Sequence, residues 1–124
     1  MLISYSGRTR ELVEIISTIA IHLNMGYLPL IAVTGQVDAT QCALFDNYPP
    51  QSCILLPAPI VLSEKETFGI PAPTTSTTVA FATLDALALV LAEKHHPEPA
   101  EIFHRYHPGG TIGLHASLKP GSDR

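Results

Sequence analysis

The sequence predicts an α/β protein built on a parallel sheet, and three observations lead there. Short apolar runs alternate with helical segments in the order strand, helix, strand, short helix, strand. The later runs are almost continuously apolar, as strands covered on both faces are. A hydroxyl-rich loop directly follows the first run, at the place where open parallel sheets present ligands to helix N-termini.

Residues 2 to 5 read as a short strand end. From Thr9 to about Met25, Leu12, Ile15, Ile16, Ile19, Ile21 and Leu23 make one broad apolar face at helical spacing, and Gly26 is placed to stop that helix. "YLPLIAVTG" runs apolar into a turn glycine and suits a strand buried on both faces. "VDATQCALFD" is a short helix candidate with Asp38 as its N-cap. "SCILLP" is a further buried strand, closed by Pro57 and Pro59. "SEKETFGIPAP" reads as an irregular polar loop leading to "TTSTT", whose hydroxyls can cap a long helix from about Thr77 to Lys94. "HHPEPAEIFHRYHPGG" gives a short helical turn between prolines, then a break at Gly109 and Gly110. On this reading 1–114 form one domain and 115–124, carrying Pro, Gly, Ser and charges, a mobile tail.

At 124 residues the chain falls in the single-domain range. Apolar residues make up 46% and charged residues only 15%, which argues for a buried core and against disorder. With charge so sparse, some apolar surface is expected to be covered by another chain or by further sequence. The net charge of −4 and the pI near 5.8 leave no basic footprint, so nucleic acid is not the expected partner. Cys42 and Cys53 are too few and too loosely spaced for a zinc site or a disulfide framework, and read as reduced, packed thiols. The longest apolar run, 79–92, falls short of the roughly 20 residues a membrane span needs and has Asp85 in its middle, an aspartate expected to be buried against backbone or a subunit partner. The N-terminus has neither the basic region nor the cleavage site of a signal peptide. The expectation is a soluble, cytoplasmic protein without membrane contact.

Ser4, Ser6 and Thr9 bring three hydroxyls to the first loop, and Gly7 lets the backbone approach a ligand closely. A phosphate wants several short donors in a small concave site, which this spacing supplies. The plain alternative is that Ser6 or Thr9 only caps the helix, and the loop by itself leaves both readings open. No lysine lies inside it, which argues against a nucleoside triphosphate P-loop.

"SYSGRTREL" resembles the Ser-x-Ser-Gly-x-Thr-x-Glu loop of sugar isomerase (SIS) domains, which bind phosphosugars. "APTTSTTVAFATLDALALVL" and "HPGGTIG" resemble the back half of the arabinose 5-phosphate isomerase branch of that family, where Ala-Pro-Thr-Ser-Ser-Thr-Thr opens a long helix containing Asp-Ala-Leu and a His-Pro-Gly-Gly follows. The resemblance runs from about residue 2 to 113, in the same order and at nearly the same spacing. It implies a three-layer α/β/α sandwich around a five-stranded parallel sheet, a homo-oligomer, and a reaction on a phosphorylated sugar that needs no cofactor and no metal. In the family, about two strands and a Gly-Lys-Ser loop, with a lysine implicated in catalysis, precede the matching part. The chain is therefore expected to be the second half to two-thirds of such a domain. The regulatory domain pair that longer members carry downstream has no counterpart in it.

Interconverting a ketose 5-phosphate and an aldose 5-phosphate takes a base beside the carbon alpha to the carbonyl, a group that returns the proton, and a donor to the oxyanion. The resemblance assigns the catalytic roles to Glu11, Glu64 and His107. By position alone, Glu11 reads as a carboxylate complementing a helix dipole rather than as a catalytic group, and Glu64 in "SEKE" reads as a solvated charge. Matching Glu64 to the family's loop glutamate needs one extra residue between Gly69 and Ala72, so Glu66 is the other candidate. His107, ahead of Pro108-Gly109-Gly110, titrates near neutrality, and in family members this histidine can come from a neighbouring subunit. Ser4, Ser6, Gly7 and Thr9 would hold the phosphate. Thr75, Ser76 and Thr77 would contact the substrate or pack the site floor, since capping accounts for only one of those hydroxyls. Two positions depart from the family's common pattern: Tyr5 stands for Asn and Arg8 for Glu, changing the pocket wall and adding a cation beside the loop. The alternative function is a phosphosugar-binding module without turnover, or a remnant of such an enzyme.

Overall fold

The computed structural model of the chain describes residues 1–23, 28–107 and 109–111. The expected stop at Met25 and Gly26, and the tail at 115–124, lie outside these residues. The chain divides into a first unit, Met1–Leu84, and a second that begins at Asp85.

In the first unit three strands pair in parallel in the order β1 (Leu2–Ile3), β2 (Leu30–Thr34), β3 (Cys53–Pro57). Leu2 stands opposite Ala32, and Leu30 opposite Cys53. The central strand is the most covered: Leu30, Ala32, Val33 and Thr34 are all buried. Its alternation divides the core into two. Leu30 and Ala32 join Ile16 of helix α1 (Arg10–Leu23) together with Cys42, Leu44 and Tyr48, while Leu12 and Val13 pack against the rim. Val33, one residue on, joins Ala58 and Ala80 of helix α3 (Thr75–His95), with Leu56 and Val79 beside them. Helix, sheet and helix are thus three layers, as a fully covered central strand requires.

Five elements differ from the sequence reading. The first strand ends at Ile3 rather than residue 5, because Gly7 N–H closes a turn onto the Ser4 carbonyl. The short helix expected after Asp38 is two 3₁₀ turns, Ala39–Gln41 and Ala43–Phe45; Asp38 does cap the first, accepting from Thr40 N–H, but Cys42 between them is extended. "SCILLP" forms β3 but is only half covered, and Ile54 is exposed, because among the described residues β3 pairs on one side alone. "SEKETFGIPAP", read as irregular, contains helix α2 (Glu64–Phe68). Its start is a capping box: Ser63 Oγ accepts from Glu66 N–H at 3.2 Å while the Glu66 carboxylate accepts from Ser63 N–H at 2.9 Å. The long helix begins at Thr75, two residues early.

The second unit continues α3 to His95 and adds helix α4 (Pro99–Tyr106), which opens on a proline, where a missing N–H costs nothing. Asp85, expected to be buried against backbone or a subunit partner, is exposed in the single chain, as are Leu89, Val90 and Leu91 along the same helix. At 21 residues α3 outgrows the apolar run read from the sequence. Among the described residues it is the one helix long and apolar enough to cross a membrane, a test that core helices of soluble proteins also pass.

Candidate functional site

The loop from Ser4 to Thr9 links β1 to α1 and is shaped by the end of β2. Ser4 N–H donates to the Val33 carbonyl (3.0 Å), and the Tyr5 carbonyl accepts from both Gly35 N–H (2.9 Å) and Thr34 Oγ1 (3.0 Å). Gln36 Nε2 donates to the Ser6 carbonyl at 3.2 Å. Gly7 turns the loop at φ +65°, and a Cβ there would lie 3.1 Å from Cys42 Sγ and 3.2 Å from Thr34 Oγ1. Thr9 then starts α1, its carbonyl accepting from Leu12 and Val13 N–H.

Within this loop Ser4 Oγ and Thr9 Oγ1 are hydrogen-bonded at 2.7 Å, and Ser6 Oγ accepts from Arg8 N–H at 3.1 Å. A hydroxyl pair shares one proton between its two oxygens and keeps the other to donate. Ser6, used as an acceptor, keeps its own. The loop therefore retains two O–H donors for a ligand.

Opposite stand α2 and the start of α3. Glu64 is only 8% exposed, and its Oε1 accepts from Thr74 N–H and Ser76 N–H, each at 2.9 Å, and from Ser76 Oγ. A carboxylate on one helix thus caps the next, where orphan N–H groups and the helix dipole favour negative charge. The Ser76 hydroxyl, followed by the two amides, holds the Glu64 carboxyl below its ordinary value. Glu66 is bound back to Ser63 and does not line the cavity, so of the two candidate loop carboxylates it is Glu64 that faces inward.

The two sides enclose a cavity of about 560 Å³ within the first unit. Ser4, Tyr5, Ser6 and Thr9 line it from the loop, Val33, Thr34 and Gly35 from the sheet, Ser63, Glu64 and Lys65 from α2, and Ser76, Thr77, Ala80 and Phe81 from α3, with Pro71 and Pro73 between. Six residues proposed from sequence therefore meet: Ser4, Ser6, Thr9, Glu64, Ser76 and Thr77. Gly7 shapes the loop without lining the cavity, and Thr75 opens α3 without lining it. Glu11 is exposed in the first turn of α1 and lines a separate hollow with Glu14, Ile15, Thr18 and Ile19. His107 belongs to the second unit, where it ends α4 with Nδ1 2.8 Å from the Phe103 carbonyl and its ring stacked on Phe103 at 4.1 Å. Among the described residues no group of three or more His, Cys, Asp or Glu could hold a metal ion.

Sequence reasoning passes over Lys65 and Thr34, and over Phe81 as a wall. The spacing Ser63-x-x-Glu66 is the available signal for the first, because a helix starting there puts Glu64 and Lys65 together in its opening turn.

No protein-family model matches the chain, and no solved structure does. Curated proteins do. The chain is 34% identical over 113 residues to a probable arabinose 5-phosphate isomerase of Haemophilus influenzae, a match covering 91% of this chain and 29% of that protein. It is 33% identical over 113 residues to the arabinose 5-phosphate isomerase KpsF of Escherichia coli (91% and 31%). It is 33% identical over 117 residues to KdsD, the arabinose 5-phosphate isomerase of Salmonella typhi (94% and 31%). The matched segment thus spans about three-tenths of the length of each of these relatives.

Proposed function

We propose that this chain is the phosphosugar-handling part of a SIS-type isomerase that interconverts ribulose 5-phosphate and arabinose 5-phosphate. The observation that carries the reading is the cavity itself: it gathers the hydroxyls of the Ser4–Thr9 loop and an ionised carboxylate, in a chain similar to arabinose 5-phosphate isomerases. The two spare O–H donors of the loop bind phosphate oxygens, and Gly7 gives the turn that aims them. Thr77 contacts the sugar hydroxyls, whereas Ser76 spends its hydroxyl on Glu64 and positions it. Glu64 takes the proton from C1 of the ketose through Oε2, the oxygen not engaged by α3, and an enediol forms before a proton is returned to C2. Glu11 and His107 complete the catalytic set on the strength of the resemblance alone, with His107 contributed within a homo-oligomer.

One observation favours the second reading, a binding module without turnover: three donors on one oxygen make Glu64 a weak base. One experiment separates the two. Ribulose 5-phosphate is incubated with the protein in deuterated water, and arabinose 5-phosphate formation and deuterium at C2 are followed by NMR. Turnover with deuterium incorporation that Glu64→Gln abolishes is the isomerase outcome. Ligand-induced shifts with no product favour the module. Neither turnover nor binding overturns both.

A further inference from the structure

A phosphorylated sugar brings about two negative charges into the cavity, and hydroxyls and amides solvate that charge without cancelling it. Two charged side chains line the cavity, Glu64 and Lys65, which are consecutive on α2. Their situations are opposite. Glu64 is turned to the N-terminus of α3, where two amides and a hydroxyl meet its charge. Lys65 enters no ion pair among the described residues; the pair found there joins Arg10 to Glu14 on the outer surface of α1. Arg8, the cation within the Ser4–Thr9 loop, does not line the cavity. Lys65 is thus the one cation among the residues that line the cavity, beside a Glu64 whose Oε1 is taken up by α3.

We propose that Lys65 is the anion-contact residue of this cavity, its ammonium pairing with the ligand's phosphate and making the site select a phosphorylated sugar over the same sugar without phosphate. This rests on the phosphosugar reading above. The flexible four-carbon stem of lysine suits such a contact, because its ammonium acts as a point charge and follows the phosphate without needing the fixed fork of arginine. Contacts to an ionised partner are the strong class of hydrogen bond, so loss of this one weakens binding roughly 10- to 100-fold.

The test is calorimetric titration of wild type, Lys65→Met and Lys65→Arg with arabinose 5-phosphate, arabinose and inorganic phosphate, each at low and high salt. Lys65 is exposed in the protein alone, so neither substitution disturbs a core, and a melting curve confirms it. The expected result is a roughly 10- to 100-fold loss for arabinose 5-phosphate in Lys65→Met, with a flattened salt dependence, no change for arabinose, and most of the affinity kept in Lys65→Arg. Wild-type binding that Lys65→Met leaves intact overturns the role of Lys65 while the phosphosugar reading stands. A wild type that binds neither arabinose 5-phosphate nor phosphate overturns both.

Discussion

Tyr5 lies against Gly35 so closely that a Cβ at position 35 would come within 2.4 Å of the Tyr5 Cε2 carbon. The two backbones are also joined, Gly35 N–H donating to the Tyr5 carbonyl at 2.9 Å, and both residues line the cavity. Gly35 is therefore needed for close approach, and the ring of Tyr5 forms a wall wherever Gly35 lets it lie. Gly35→Ala must push the ring aside, at a cost of about 1–3 kcal/mol typical of overpacking. Urea unfolding of Gly35→Ala alone and in a Tyr5→Ala background measures the coupling. The loss should shrink markedly in the double variant; equal losses in both backgrounds would refute the contact.

Gly7 and Gly69 both have positive φ, +65° and +78°, but different surroundings. At Gly69, the C-cap of α2, an added Cβ meets nothing within 4 Å. Alanine there incurs the left-handed backbone penalty alone, roughly 1–2 kcal/mol. At Gly7 the same methyl also presses on Cys42 and Thr34, so Gly7→Ala should be clearly the more destabilising of the two. Similar denaturation midpoints for the two variants would count against the loop geometry.

Acid should loosen the junction of α2 and α3 through Glu64. Its folded pKa lies below the ordinary 4.5, held down by the Ser76 hydroxyl and then by the Thr74 and Ser76 amides. A depressed carboxyl contributes stability that is fully present above the unfolded pKa and is lost as pH falls through the folded one. Glu64→Gln should therefore show a shallower fall in stability below pH ~4.5 than wild type. Glu66 and Asp38, lowered by Ser63 and Thr40, keep some slope in both proteins. Urea midpoints from neutral pH downward test it, and parallel curves would mean that the cap on α3 is not held by the charged form.

Cys42 is fully buried, and burial pushes its thiol above the ordinary value. Cys53 is shifted the same way but is only partly covered. A thiol-reactive disulfide reagent should modify Cys53 first and reach Cys42 only as the fold opens, with urea accelerating the slow phase. Two equally fast thiols would contradict the packing around Cys42.

The legible parts of the fold are those with a local signature. β2 is plain because a fully covered strand is apolar throughout, and α1 because Leu12 and Ile16 recur on one face. α2 escapes because five residues are too few for periodicity to register and "SEKE" reads as solvent-facing. The capping box at Ser63 and Glu66 is the better guide, since it depends on spacing rather than polarity. The site follows the same division. Ser4, Ser6 and Thr9 announce themselves within six residues. The burial of Glu64 does not, because its donors arrive ten and twelve residues later. Asp85, an acid in an apolar run that suggests a backbone or subunit partner, is exposed in the single chain.

The loop's dependence on β2 also sets the order in which the protein assembles. Leu2 pairs with Ala32, and Tyr5 and Ser6 are held from Thr34, Gly35 and Gln36, contacts that span about thirty residues of chain. Parallel pairing at such separation gains nothing until the intervening loop has closed, so it forms late and slowly. Helix α1 can flicker into being on a nascent or unfolded chain, but the hydroxyl cradle in front of it cannot. On the function proposed above, a phosphate-sized ligand would recognise only chains that have finished folding, and its binding should accelerate no early step while slowing the first step of unfolding.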